Sequence, residues 1–262
     1  MGSDPGPDAG RGTPCETDPG YRLRVLLKAC LNGSRHAGEH PALPVTGEAM
    51  AADAVACVAA GAGAIHLHPR DADGRETLAG DVVDETAHRV RAACGVPVGV
   101  ATGAWVEPDP ERRAALVRTW TAPDFASVNL SEPGAEGVMR ALLDGGRVGI
   151  EAGIWSVDDA ERLAATGLAG QLTRVLVEVI GAPRDSAAAV AREIDAALDR
   201  LGITAPRLHH GEEDATWPVL EQAIALGRHT RVGLEDTLWR PDGSETDSNA
   251  ELVAIADALA RG

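Results

Sequence analysis

The sequence predicts an α/β chain folded as a single (β/α)8 barrel, and three observations predict it. From Tyr21 onward, short Val/Ile/Leu runs alternate with Ala-rich amphipathic segments, at the spacing of roughly thirty residues that strand–helix units require. No hairpin signal breaks the alternation. The chain has 262 residues, and one such barrel takes about 250. An open doubly wound sheet would carry a Gly-rich phosphate turn after its first strand, whereas "LNGSRHAGEHPALP" is too long and too proline-rich for that turn.

Taken in order, the strands are expected at Leu23–Cys30, Ala64–His68, Val96–Thr102, Phe125–Asn129, Val148–Ala152, Arg174–Val179, Arg207–His210 and Thr230–Leu234. Each is a short apolar run bounded by turn residues, as a strand buried on both faces should be. The helices are expected at Thr46–Ala60, Asp81–Ala93, Pro110–Trp120, Gly134–Leu143, Val157–Thr166, Asp185–Leu201, Thr216–Leu226 and Asn249–Ala260. Thr46 and Ser156 precede acidic first turns, Pro110 suits a first helical position, and glycines punctuate "AAGAGAIHLH" and "ALGRHTRVGL". Residues 1–20, rich in Gly, Pro and Asp, are expected to be a disordered tail, with the barrel domain over 21–262.

Composition narrows the function. The formal net charge is −16, with no Lys/Arg cluster and no basic stripe bearing aromatics, which argues against nucleic acid as a partner. Lys28 is the only lysine. Cys15, Cys30, Cys57 and Cys94 show no CxxC or finger spacing, as in a reduced cytoplasmic protein. Neither a signal pattern nor a membrane-spanning apolar run is present in the sequence, so no membrane association is expected.

In such barrels the chemistry sits at the C-terminal ends of the strands. Residues of one strand alternate faces, so His66 and His68 of "IHLHPRD" point the same way. They belong to strand two, and Glu235 follows strand eight. Alternate strands share an interior layer. Two imidazoles and a carboxylate are a catalytic zinc set with a place left for water or substrate, and Fe(II) or Mn(II) accept the same donors. The competing reading is a satisfied core histidine beside a solvated loop carboxylate.

The neighbours carry alternatives too. Arg231 and Asp236 of "RVGLED" make either a structural ion pair or a general base with its partner. Arg35 and Arg70 are anion clamps or loop caps. Glu151 and Glu178 act directly or neutralise interior arginines. At most one of His209 and His210 faces the interior, and neither has an assigned role. Asn32, Ser34, Thr102, Ser127 and Asn129 complete the polar rim. His36, His40, His88 and His229 read as loop or surface residues.

The blocks "ACLNGSR…HPALPVTGEAM", "AGAIHLHPRDADGR", "ATGAW", "PDFASVNL" and "RVGLEDTLW…SNAELV" together resemble the β-keto acid cleavage enzymes, from about Leu23 to Leu259. The paired blocks HLHxRDxxGR and R(V/C)GxED, in that order, are the specific part. The resemblance implies a zinc-dependent TIM barrel, homo-oligomeric as a dimer or tetramer. Its reaction condenses a β-keto acid with acetyl-CoA to give acetoacetate and a new acyl-CoA. His66, His68 and Glu235 would then be metal ligands, Asp236 the base and Arg231 its partner. Thr102 and Ser127 fall where the family places substrate-contacting hydroxyls, and Asn32, Ser34, Arg35, Asn129 and Glu151 join them as substrate-binding candidates.

The chain also departs from the pattern. The family member acting on an aminated substrate carries a glutamate in the first strand–helix loop, where this chain reads Ser34–Arg35. An amino β-keto acid is therefore not the expected substrate. Ala101 stands where a serine occurs in the family, and "LHHGEEDATWP" at strand seven differs from the pattern. The competing functions are another metal-dependent barrel reaction (lyase, aldolase or hydrolase) and an inactive metabolite-binding relative.

Overall fold

The computed structural model describes residues 25–262. The predicted tail over 1–20 and the predicted start of the first strand at Leu23 lie outside the described residues. Eight parallel strands form a closed barrel in sequence order: β1 (Leu27–Cys30), β2 (Ala64–Leu67), β3 (Val98–Ala101), β4 (Phe125–Asn129), β5 (Gly149–Ile154), β6 (Arg174–Val179), β7 (Arg207–Gly211) and β8 (His229–Val232). Closure comes from β1 pairing β8 through Leu27↔Thr230 and Lys28↔Arg231.

The helices alternate with the strands: α1 (Gly47–Ala59), α2 (Gly80–Cys94), α3 (Pro110–Val117), α4 (Ala135–Gly145), α5 (Val157–Thr166), α6 (Arg184–Arg200), α7 (Thr216–Ala225) and α8 (Asn249–Arg261). Their starts follow capping chemistry. The Thr46, Ser156 and Ser248 hydroxyls accept the N–H groups of Ala49, Asp159 and Glu251, and Asp109 caps α3 ahead of Pro110. The eight predicted strand–helix units are all present. Helix α3 is shorter than predicted, ending at Val117, because Trp120 turns inward and donates to the Leu78 carbonyl at 3.1 Å. Strand β8 ends at Val232 rather than Leu234, because Asp236 and Thr237 both donate back to the Gly233 carbonyl.

Two small hairpins stand outside the barrel, contrary to the absence of a hairpin signal. Arg70 bridges Glu76 in the β2–α2 loop, and Trp239 bridges Glu245 in the β8–α8 loop, both antiparallel. Asp71 and Asp242 drive the turns by accepting backbone N–H groups two residues on, from Asp73 and Ser244.

Most of the core lies between the barrel's outer face and the helices, where alanines let the helices pack close to Val, Ile and Leu of the strands. The interior is different. Lys28 donates to Glu151 at 2.5 Å, Arg174 pairs with the other Glu151 oxygen at 2.8 Å, and both cations lie over the Phe125 ring at 5.3 and 5.5 Å. Glu151, expected to bind substrate, is instead fully buried as the counter-charge to these two cations.

Candidate active site

A cavity of about 350 Å³ opens at the C-terminal rim, and its wall includes His66, His68 and Glu235. Among the described residues, these three form a His/Cys/Asp/Glu cluster able to hold a metal ion, with ligand atoms within 4.8 Å of one another. His66 Nε2 lies 3.7 Å from Glu235 Oε1, and His68 Nε2 lies 3.8 Å from Glu235 Oε2. Those separations are too long for hydrogen bonds. They are near the roughly 3.3 Å that ~2.0–2.1 Å bonds at tetrahedral angles impose between ligands. Glu235 Oε2 is buried and has no hydrogen-bond partner among the described residues. Burial, then the positive charge of Lys28, holds the His66 imidazole well below its usual pKa, so it stays neutral as a ligand must. The residues present therefore fit a divalent cation.

Backbone contacts aim this set. Asn32 accepts the His68 N–H at 2.9 Å and donates to the His68 carbonyl at 3.0 Å, locking the end of β2. Gly33 has φ +51°, and a Cβ there would stand 2.6 Å from Glu235 Cγ, so only glycine lets the β1–α1 loop pass. Asn249, at the start of α8, accepts from Leu234 N–H at 2.6 Å and donates to Leu31 O and to Asp53. It thereby fixes the main chain immediately before Glu235. Arg70 donates to the carbonyls of Gly33, Arg35 and Gly74, which makes it a loop cap rather than an anion clamp.

Arg231 joins the two acidic residues of "RVGLED". It lies 2.9 Å from Glu235 Oε1 and 2.7 Å from Asp236 Oδ1. Asp236 is fully buried and does not form part of the cavity wall; its Oδ2 has no hydrogen-bond partner among the described residues. Burial pushes the Asp236 carboxyl above the usual carboxylate range, against the opposing pull of Arg231 and His210. His210 faces inward, 3.7 Å from Asp236 and 3.5 Å from Glu178, while His209 faces outward to Asp195 on α6. Glu178 is on the cavity wall, takes the Trp155 indole N–H at 2.6 Å, and is raised by burial.

The remaining predicted substrate residues divide. Ser34, Arg35, Ser127 and Asn129 line the cavity; Asn32, Thr102 and Glu151 do not. Asn32 is spent on the His68 main chain, and Thr102 donates its hydroxyl to the Ser127 carbonyl at 2.7 Å. Arg35 points in with its charge engaged: it donates to Glu213 at 2.5 Å, to the Leu234 carbonyl, and pairs with Glu39 at 3.5 Å. His40, expected as a loop or surface residue, lies in the β1–α1 loop but is buried, and it ties the Thr246 carbonyl to that loop.

Sequence reasoning missed Glu76, Trp105, Trp155 and Glu212. Glu76 accepts from both His68 and Trp105, and Glu212 stands on the cavity wall with its carboxyl pushed up to about 7 by burial. The Asp-Gly turn between His68 and Glu76 was the available signal, because it folds Glu76 back towards the strand end.

The comparisons bear on this geometry. A 3-keto-5-aminohexanoate cleavage enzyme of Fusobacterium nucleatum subsp. nucleatum is 26% identical over 91% of this chain and 92% of its own. The structure of ObcA in binary complex with oxaloacetate superposes with a TM-score of 0.64 at 19% identity, covering 83% of this chain. Its ternary complex with a C4-CoA adduct and oxalate superposes at 0.66 and 17%, again over 83% of this chain. This chain spans only 63% of the ObcA chain in both, so that likeness concerns the barrel. Among the described residues, no helix is long and apolar enough to cross a membrane. The beta-keto acid cleavage enzyme family matches residues 24–262, the stretch that supplies the whole barrel and every wall of the cavity, and the chain belongs to that family.

Proposed function

We propose that the chain is a metal-dependent enzyme that converts a β-keto acid and acetyl-CoA into acetoacetate and a new acyl-CoA. The observation that carries this reading is the convergence of His66, His68 and Glu235 on one point, with Glu235 Oε2 buried and unpartnered. The equation balances without a further reactant: R–CO–CH2–COO⁻ and CH3–CO–SCoA exchange acyl partners to give R–CO–SCoA and CH3–CO–CH2–COO⁻. Support for CoA as the acyl carrier comes from ObcA, whose ternary complex holds a C4-CoA adduct.

His66, His68 and Glu235 would hold the cation, zinc or another divalent ion. When bound, it supplies a Lewis acid that stabilises negative charge on the keto acid's oxygens. The cavity also calls for positive charge. Among the described residues, Glu39, Glu213 and Glu235 line it against Arg35 and Arg231, with Glu178 and Glu212 raised by burial beside them, a poor reception for an anionic keto acid unless a dication offsets the balance.

Asp236 is the base. Arg231 ties its Oδ1 and leaves Oδ2 unengaged to take the proton from the carbon between the two carbonyl groups. Ser34, Ser127 and Asn129 present hydroxyl and amide groups to the substrate's tail. Because the Arg35 charge is engaged by Glu213 and Glu39, it does not require an acidic tail; the reading against an amino β-keto acid rests on Ser34–Arg35 standing where the member acting on an aminated substrate has a glutamate.

Metal content per chain, measured on wild type and His66→Ala after zinc reconstitution, is the test. About one ion in wild type and none in the variant supports the reading, provided wild type alone makes acetoacetate from acetyl-CoA and a β-keto acid. Full turnover by His66→Ala refutes the metal mechanism.

A further inference from the structure

One carboxylate outside the ligand set is placed to control it. Glu76 lies on the hairpin that follows β2, with its side chain only 14% exposed and outside the cavity wall. Its Oε2 sits 2.9 Å from His68 Nδ1 and 3.0 Å from the Trp105 indole nitrogen. We propose that Glu76, held by Trp105, is the positioning residue that fixes His68 in the tautomer and ring orientation needed to bind a divalent cation.

The donor–acceptor inventory decides the tautomer. An ionised carboxylate only accepts and an indole N–H only donates. The hydrogen between His68 and Glu76 therefore sits on Nδ1. That leaves the Nε2 lone pair free, on the side facing Glu235 at 3.8 Å. Carboxylates in this outer position orient ligating histidines and raise their basicity.

Trp105 is built into the arrangement. Its ring stacks on His68, with centroids 6.1 Å apart and planes 18° from parallel, while its N–H reaches Glu76. The backbone makes room for this. A Cβ at Gly103 would stand 2.3 Å from the Trp105 ring, so "TGAW" lets the indole fold back across its own loop. The β2–α2 and β3–α3 loops thus meet at one carboxylate. Among the described residues His66 has no such clamp: its Nδ1 is buried without a hydrogen-bond partner. Control of ligand geometry therefore falls on one imidazole.

This inference rests on the metal reading above, and the experiment separates the two. Zinc affinity is measured by chelator competition on wild type, Glu76→Ala, Glu76→Gln and Trp105→Phe, with thermal melts of the zinc-free proteins alongside. Glu76→Ala is expected to bind zinc about 10–100-fold more weakly. Glu76→Gln should recover part of the loss, because its amide oxygen still accepts from Nδ1. Trp105→Phe should fall between wild type and Glu76→Ala, and the melts should stay together. Nitrogen-15 histidine spectra of the zinc-free proteins should show His68 as the Nδ1–H tautomer in wild type and a tautomer mixture in Glu76→Ala. Equal zinc affinity in wild type and Glu76→Ala overturns the role of Glu76 while leaving the metal site standing. No zinc binding by wild type overturns the metal reading and this inference with it.

Discussion

Lys28 Nζ and Glu151 Oε2 stand 2.5 Å apart inside the barrel, with neither side chain exposed. The chain's only lysine is thus neutralised by a carboxylate that also pairs with Arg174. Removing one member of a buried ion pair leaves an uncompensated charge, which costs about 3–5 kcal/mol.

The two halves of this cluster are unequal, and that yields a prediction. Glu151→Gln strands two cations, whereas Lys28→Met leaves Glu151 still paired with Arg174. Urea unfolding should show Glu151→Gln losing about 3–5 kcal/mol and Lys28→Met distinctly less. Equal losses would mean that Arg174 does not share the Glu151 charge.

This cluster also shows where sequence reasoning stops. The barrel was legible because buried parallel strands and capped amphipathic helices leave strong local patterns, and capping residues such as Thr46 and Ser156 act where expected. The triad was legible because His66 and His68 share a strand face and Glu235 follows a strand on the same rim. Which way a polar strand-end residue turns is decided by partners from other strands, and local pattern does not encode it. Asn32, Thr102 and Glu151 all looked like rim residues, yet they turn to His68, to Ser127 O, and to Lys28 and Arg174. Glu76 reaches the site through a hairpin turn, so its eight-residue separation from His68 conceals a 2.9 Å contact.

Gly33 is predicted to matter more for metal than for folding. Its φ of +51° disfavours any side chain, and a Cβ would press on Glu235 Cγ. Gly33→Ala should cost about 1–2 kcal/mol in stability from backbone strain. Displacing Glu235 should weaken zinc binding about tenfold or more, by analogy with disturbed ligand orientation. Zinc titration and thermal melting of the same preparation separate the two effects. Unchanged zinc affinity would show that Glu235 adapts to the intrusion.

Asp53 gives a pH signature away from the cavity. Burial raises its carboxyl from 3.8 to about 6, with the Asn249 hydrogen bond opposing the rise. The unfolded chain ionises first as pH increases, so this group contributes full stability below about pH 4 and loses it as pH passes 6. The expected loss is about 3 kcal/mol. Asp53→Asn should therefore stabilise the protein by up to that amount at pH 7–8 and change little at pH 4. A variant that destabilises at both pH values would show that the Asn249–Asp53 bond outweighs the desolvation.

The assignment of the base rests on two carboxylates that the site treats differently. Glu178 is on the cavity wall, but its Oε2 is engaged by the Trp155 indole at 2.6 Å. Asp236 is set behind the wall, yet its Oδ2 is unpartnered and Arg231 fixes the other oxygen. Both are raised by burial, so elevated basicity alone does not choose between them. A general base contributes about 10²–10⁴-fold. Asp236→Asn should therefore cut acetoacetate formation by that factor and abolish deuterium exchange at the substrate's C2, while retaining zinc. Glu178→Gln keeps the acceptor for Trp155 and should leave C2 exchange within a few-fold of wild type. The reverse pattern, exchange lost in Glu178→Gln and kept in Asp236→Asn, would move the base onto the cavity wall and reduce Asp236 to an anchor for Arg231.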